Sequence, residues 1–166
     1  MKDVYVEWMV SKKRSWVDNL VRTISIVVAV FSFLLFSLTG NIVLFIVTVA
    51  AGLFAYFAFT YTDVEYEYVL VTGELSIDRI LSKSRRKRIE KFDTQRIEIV
   101  APLNSPRLGG FAGRKYREYD YTSGIRTQHS HIFVMYAEGK KVLLEPNYDL
   151  IRALKDTLPH KVHMDM

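Results

Sequence analysis

The sequence contains no cysteine, which excludes a disulfide-stapled secreted domain and a metal site held by thiolates. It also lacks charge over one long stretch, because residues 23–62 include no Asp, Glu, Lys, Arg or His. Charged residues make up 25% of the chain. Because none of them lies in residues 23–62, all of them lie in the two flanks of this stretch. A soluble globular enzyme rarely shows such a partition, and a disordered chain has too few apolar residues to show it. The sequence indicates a membrane-embedded segment in an otherwise polar chain.

The uncharged stretch is too long to cross a bilayer once. As one helix its 40 residues would measure about 60 Å, twice the thickness of the hydrocarbon core. One break is available at residues 38–41, where Gly40 and Asn41 tolerate a turn. We therefore predict a transmembrane hairpin over residues 20–61, with helices near residues 20–38 and 42–61.

Small residues predict where the two helices meet. Within a bilayer, helices associate through close packing at small side chains, since burial of apolar surface no longer drives association. Spacings of three or four residues place such side chains on one face of each helix. The same face could instead contact another chain, including a second copy of this one. The residues are Ser25, Ala29 and Ser32 in the first helix and Ala51, Ala55 and Ala58 in the second.

The flanking charges predict the orientation of the hairpin. Five Lys or Arg residues precede the uncharged stretch, the turn near Gly40 has none, and the C-terminal segment is basic. Because positive residues stay on the cytoplasmic side, we expect a multi-pass protein of the cell membrane with both termini in the cytoplasm. Trp16 and Tyr61 are placed for the lipid–water boundary.

The N-terminal segment, residues 1–19, allows two interpretations. Val6, Trp8 and Val10 alternate with polar residues as in a strand, whereas Trp8, Trp16 and Leu20 suit a helix lying in the membrane interface. We favour an extended start followed by an interfacial turn, and treat the segment as cytoplasmic or interfacial.

Residues 62–166 predict a second, mainly β domain. Short alternating stretches separated by turn residues are typical of half-buried strands. Near the C-terminus, Asn147 is a helix N-cap, Ile151 and Leu154 share a face with Leu158, and Pro159 ends the helix. The predicted strands, about seven and antiparallel, are residues 64–70, 75–80, 86–92, 96–100, 116–122, 131–137 and 141–144.

This order of elements is the layout of the pleckstrin-homology (PH) superfold, in which one C-terminal helix closes a bent antiparallel sheet. The chain resembles bacterial PH-like membrane proteins, in which a transmembrane hairpin is followed by such a domain. Three segments support the resemblance, which extends over residues 23–158: EYVLVTGELSI at 67–77, SKSRRKR at 82–88 and FDTQRI at 92–97. Because a fold does not determine an activity, the resemblance implies the architecture and no reaction.

The densest charge lies in the predicted turn between the second and third of these strands, where five of six residues are basic. Such a group stays in solvent, and near an acidic membrane leaflet each cation contributes about 1 kcal/mol of attraction. The alternative is a solvated turn that only favours solubility and orientation. Nucleic acid is disfavoured because the net charge is only +5. The candidate lipid-binding residues are Lys83, Arg85, Arg86, Lys87, Arg88 and Lys91.

The Gly- and Pro-rich segment 101–115 is too long for a simple connection and is either functional or mobile. It does not match a phosphate-binding loop, because Gly113 is followed by Arg114 and Lys115 with no hydroxyl residue in place. A flexible exposed loop is the plainer interpretation, and a partner-binding loop is the functional one. The candidate partner-binding residues are Leu108, Phe111, Arg114 and Lys115.

No catalytic or metal site is predicted. The chain's four histidines are interpreted as surface residues, because neither their strand start nor the C-terminal tail provides rigid supporting contacts. Ser130 lies between two of them, but neighbouring strand residues face opposite ways. Paired carboxylates at Glu65 and Glu67 and at Glu118 and Asp120 are assigned to solvent-facing sides of strands. The histidines are His129, His131, His160 and His163.

These observations predict a non-enzymatic integral membrane protein without metal or cofactor. Its cytoplasmic PH-like domain would bind anionic lipid headgroups or a protein partner at the inner face of the membrane. The alternative function is a small accessory subunit of a larger transport or secretion complex, with the hairpin packing against other chains.

Overall fold

The computed structural model describes residues 5–111, 113–126 and 131–164. The chain forms two compact units. A helical unit contains residues 14–64 and 81–85, and a β-rich unit contains the other segments.

The helical unit consists of two helices with well-formed caps. Helix α1, Trp16–Thr39, begins at a capping box in which Ser15 and Asp18 bond to each other's backbone N–H groups. It ends at Gly40, whose positive φ of 64° suits glycine. The side chain of Asn41 then caps α2, Ile42–Thr62. The predicted hairpin is confirmed as a helical hairpin, with α1 starting one turn earlier than expected.

The two helices meet on the predicted small-residue face. Ser25, Ser32 and Ala58 are buried, and the rings of Phe36 and Phe45 lie 5.3 Å apart near the turn. The other three predicted contact residues, Ala29, Ala51 and Ala55, are half-buried. Both helices are long and apolar enough to cross a membrane, and only a small part of each is buried within the protein. A helix in the core of a soluble protein would be mostly buried, which is not the case here.

The β-rich unit contains two four-stranded sheets. The first has the strand order β1-β2-β3-β4 and the second has the order β5-β7-β8-β6. The strands are β1 Tyr5–Ser11, β2 Val64–Val71, β3 Glu74–Leu81, β4 Arg85–Asp93, β5 Ile97–Pro102, β6 Arg117–Asp120, β7 Phe133–Ala137 and β8 Lys140–Leu144.

Strand β1 was not part of the predicted domain. It pairs antiparallel with β2 from Tyr5 opposite Val71 to Ser11 opposite Glu65, and it buries Val10. The extended start is thus confirmed, but the division that set residues 1–19 apart needs correction, because Tyr5–Ser11 belong to the first sheet. In the chain, both apolar helices lie between two strands that pair with each other.

Strand direction differs from expectation in the second sheet. Strand β6 pairs with β8 in parallel, with Arg117 opposite Lys140 and Asp120 opposite Leu143. The prediction of antiparallel strands was wrong for this pair. Alternation of apolar residues shows which side of a strand is buried but carries no information about the direction of its neighbour.

Helix α3, Tyr148–Thr157, packs its apolar side into the unit. Asn147 caps it as predicted, and Leu150, Ile151 and Leu154 are buried. Beyond the helix, Val162 forms a parallel bridge to Val100 and so occupies part of the free edge of β5. Two sheets followed by one closing helix confirm the PH-like fold class, with eight strands among the described residues where about seven were predicted.

A basic turn and two buried carboxylates

The turn between β3 and β4 is tight. Ser82 and Lys83 have positive φ values of 50° and 56°, and the N–H of Ser84 donates to the carbonyl of Leu81. Within the helical unit, the N–H of Ser82 also donates to the carbonyl of Asp63 at 2.8 Å. Since Asp63 directly follows α2, this bond holds the turn, including Lys83 and Arg85, at the end of the apolar helix.

All charged side chains of the helical unit lie at that same end. Arg14 forms an ion pair with Asp63 at 3.0 Å. Arg22, in the second turn of α1, donates to the Thr62 hydroxyl and, at 3.0 Å, to the carbonyl of Phe59. The opposite end, around Gly40, has no charged residue. The helical unit is therefore apolar with a single charged end.

The six candidate lipid-binding cations fall into two sets. Lys83, Arg85 and Lys87 are exposed and form no ion pair with any described residue. Arg86, Arg88 and Lys91 each pair with a carboxylate. The prediction treated all six as one solvated positive group, whereas the structure neutralises half of it.

The partners of Arg86 and Arg88 are two buried carboxylates on neighbouring strands. Arg86 donates to Glu67 on β2 at 2.5 Å and lies 4.0 Å from Asp78 on β3. Arg88 donates to the other oxygen of Asp78 at 3.1 Å. Glu67 and Asp78 are each only 3% exposed. The assignment of Glu67 to a solvent face was therefore wrong, because Glu67 is buried and pairs with Arg86 of β4.

Glu67 is incompletely paired. Its Oε1 accepts from Arg86, but its Oε2 is buried without a hydrogen-bond partner. Burial raises the pKa of Glu67, Arg86 lowers it, and the negative charges of Glu7 and Asp78 raise it further. The net effect is a pKa above the ordinary range of a glutamate. Lys91, by contrast, pairs with the partly exposed Glu74 at 2.7 Å.

The Gly- and Pro-rich segment is packed against the second sheet. Residues Pro106–Phe111 form a short 3₁₀ helix, and Leu108 and Phe111 pack on a buried cluster. The ring of Phe111 stacks on Tyr136 at 5.0 Å, and Arg114 pairs with Glu98. Of the candidate partner-binding residues, Lys115 alone is exposed without a described ion pair or ring contact.

A hydrogen-bond network around Glu145 joins distant segments and was not predicted. The backbone of Glu145 accepts from the indole of Trp8 at 3.0 Å and donates to the Tyr68 hydroxyl at 3.3 Å. Tyr68, fully buried, donates to the carbonyl of Tyr121. Tyr121 is also buried, and its hydroxyl faces Glu90. Polar groups at the ends of aromatic side chains thus connect β1, β2 and the segment after β8.

No constellation for catalysis or metal binding is found among residues 5–111, 113–126 and 131–164. In this range no three His, Asp or Glu side chains lie close enough together to hold a metal ion. Two residues considered in the sequence, His129 and Ser130, lie outside the described residues. Glu118 and Asp120 are exposed as predicted.

Comparison with known proteins supports the architecture. The chain matches the bacterial PH-like domain family, DUF6106, over residues 2–164. That range includes β1, both apolar helices and α3. Searches of curated proteins and of solved structures return no match. Because the match extends over nearly the whole chain, the protein belongs to the DUF6106 family of bacterial PH-like domains.

Proposed function

We propose that this protein is a non-enzymatic membrane-anchored module whose basic turn binds anionic lipid headgroups at the inner face of the cell membrane. One observation carries the proposal: Ser82 bonds to Asp63, so Lys83 and Arg85 lie at the charged end of an otherwise apolar helical unit. A hairpin that spans the bilayer ends at the headgroup level, where these cations would meet lipid phosphates.

Whether a cation of the basic turn forms an ion pair within the protein determines how much it contributes to lipid binding. An exposed cation without an ion pair can exchange its counter-ions for lipid phosphates, contributing about 1 kcal/mol of attraction. Lys83, Arg85 and Lys87 together would then contribute about 3 kcal/mol. Arg86 and Arg88 contribute less while their charges are balanced by Glu67 and Asp78.

The same charge distribution sets the expected orientation. Arg14, Arg22, Lys83 and Arg85 lie at one end of the helical unit, and the turn at Gly40 has no charge. Positive residues remain on the cytoplasmic side, so both termini would be cytoplasmic.

A lipid-binding measurement on the full chain tests the proposal. The protein is purified in an uncharged detergent and titrated with fluorescent phosphatidylglycerol or phosphatidylcholine at low salt. We expect the triple variant Lys83→Glu, Arg85→Glu, Lys87→Glu to lose the preference for phosphatidylglycerol by about tenfold or more.

The matched control reverses three exposed cations on other elements: Arg117→Glu, Arg152→Glu, Lys155→Glu. It has the same net charge as the test variant and should keep the wild-type preference. Equal loss in both variants would show that overall charge, and not the turn, governs binding. A wild-type protein that does not distinguish the two lipids would refute the proposal.

An accessory subunit of a membrane complex is the second candidate function. It is favoured by exposed apolar side chains on the first sheet, where Tyr5 and Val71 lie opposite each other and Met9 is 54% exposed. Strand β1 is also an edge strand of that sheet and could accept a partner strand. Migration of the solubilised protein only within a larger complex, lost on Met9→Glu, would support it.

A further inference from the structure

Arg86 has one strong intramolecular partner and several free donors. Its side chain is 56% exposed and donates one hydrogen bond, from Nη2, to Glu67. A guanidinium has five N–H donors, and the bond to Glu67 uses one of those of Arg86, which leaves donors for a phosphate.

Three strands place charged groups around Glu67. Glu7 lies on β1, with the Tyr5 hydroxyl donating to it, and Asp78 lies on β3. Arg86 on β4 touches Glu67 and Asp78, and Arg88 pairs with Asp78. Across the β1–β2 register Glu67 faces the apolar Met9. Glu67 therefore has two anionic neighbours and a single direct cationic contact.

The arrangement makes Glu67 the weak member of the cluster. A buried carboxylate with an unpaired oxygen is costly, and it is stabilised as an anion mainly by its contact with Arg86. A phosphate that binds the exposed side of Arg86 brings further negative charge close to Glu67. Protonation of Glu67 removes the repulsion between the two anions and releases the arginine.

We propose that Glu67 is an internal counter-ion that competes with a phosphate group for Arg86, so that phosphate binding is coupled to uptake of one proton by Glu67. The proton comes from solvent and forms the carboxylic acid, while Arg86 exchanges its Glu67 contact for a phosphate oxygen. This inference rests on the proposed function, since a lipid headgroup is the expected source of the phosphate. Linkage requires the reverse effect too, so protonation of Glu67 raises the affinity of the protein for the phosphate.

The test is the pH dependence of binding by the full chain in uncharged detergent micelles. Fluorescent phosphatidylglycerol is titrated at about pH 5 and about pH 8. We expect wild-type affinity to be about fivefold to tenfold higher at the lower pH. In Glu67→Gln, affinity at the higher pH should rise to near the low-pH value, and most of the pH dependence should disappear.

Glu65→Gln is the matched control, because it removes one negative charge two residues away on the same strand. Glu65 is bonded by Ser11 and has no described contact with Arg86. This variant should keep the wild-type pH dependence, which accounts for general titration of other groups. The same pH dependence in Glu67→Gln and Glu65→Gln would overturn the proposal.

Arg86→Gln provides a second test, because it should also lose the pH-dependent part of binding if the coupling passes through Arg86.

Two further arms separate the possible outcomes. Inorganic phosphate is added as a competitor: displacement of the lipid assigns the coupled site to free phosphate, and no displacement assigns it to the headgroup. Loss of binding in the Lys83, Arg85, Lys87 variant together with an unchanged pH dependence in Glu67→Gln refutes this inference and leaves the proposed function standing. Absence of any wild-type preference for the anionic lipid refutes both.

Discussion

Ser11 and Glu65 lie opposite each other at the end of the β1–β2 register, although 53 residues separate them in the chain. The hydroxyl of Ser11 donates to the Glu65 carboxylate at 3.1 Å. Both apolar helices therefore occupy the place of a hairpin connection within the first sheet. The PH-like domain is built from chain segments on both sides of the hairpin.

Excision of the hairpin should leave a soluble domain. We expect a variant in which a short turn containing Asn-Gly replaces residues 12–64 to fold, because the β1–β2 register ends at Ser11 and Glu65 and a tight turn can connect them. Size-exclusion chromatography and circular dichroism would show a monomer rich in β structure. A variant that lacks residues 1–64 is the comparison, and it should aggregate because β2 then becomes an exposed edge. Equal solubility of the two variants would contradict the role of β1.

A single substitution on β1 tests the same point in the full chain. Val10 is 6% exposed and Met9 is 54% exposed, and neighbouring strand residues face opposite sides. Val10→Asp should lower the free energy of unfolding by about 2–4 kcal/mol, since it buries an unpaired carboxylate. Met9→Gln, which adds no charge opposite Glu67, should change it by less than about 0.5 kcal/mol. Urea unfolding followed by circular dichroism in detergent would measure both, and similar values for the two would show that β1 does not pack as described.

Alkaline pH should destabilise the β-rich unit. Burial raises the pKa of Tyr68 and of Tyr121, so the folded state keeps both hydroxyls protonated at a pH where the unfolded chain loses those protons. The stabilisation is complete below the unfolded pKa of about 10 and is lost as pH rises above it. Unfolding free energies measured between about pH 8 and about pH 11 should therefore fall with pH.

Substitutions identify the groups responsible for that fall. Tyr68→Phe should remove part of the pH dependence and cost about 1–2 kcal/mol at neutral pH, because it leaves the Tyr121 carbonyl without its donor. Tyr148 is 61% exposed, and Tyr148→Phe should leave the alkaline fall unchanged. An unaltered fall in Tyr68→Phe would exclude Tyr68 as its source.

The orientation of the hairpin can be measured with reporter fusions. Alkaline phosphatase is active only after export, so a fusion after Gly40 should be active and a fusion at the C-terminus should be inactive. Carbonate extraction of the unfused protein should leave it in the membrane pellet. Active enzyme at both sites, or release by carbonate, would contradict the two-span arrangement.

The sequence predicted those features that depend on local pattern. The uncharged stretch and its break gave both helices, and small-residue spacing gave the face on which Ser25, Ser32 and Ala58 are buried. The alternation of apolar and polar residues predicted seven of the strands, and the N-cap residue Asn147 predicted the start of α3. These signals are local because apolar residues repeat every two residues along a half-buried strand and every three or four residues along a helix.

For the candidate site, the sequence predicted which residues are basic but not which of them form ion pairs. The run of basic residues was evident, and strand alternation places Arg86 and Arg88 on one face and Arg85 and Lys87 on the other, but nothing local shows which face meets carboxylates. The partners of Arg86 and Arg88, Glu67 and Asp78, come from two other strands that alternate like any half-exposed strand. The loop residues Leu108 and Phe111 were assigned to a free loop for the same reason, since their packing depends on a sheet formed by strands before and after the loop.

By itself the sequence determined that two apolar helices turn at Gly40 and that a mainly β domain with one closing helix accompanies them, because hydrophobic pattern and turn chemistry are properties of neighbouring residues. Only the tertiary structure decided that β1 pairs with β2 across the hairpin, that β6 runs parallel to β8, and that Glu67 is buried beneath Arg86. Each of these depends on which strands become neighbours. That choice is made by the packing of the whole chain, and one strand's sequence does not record it.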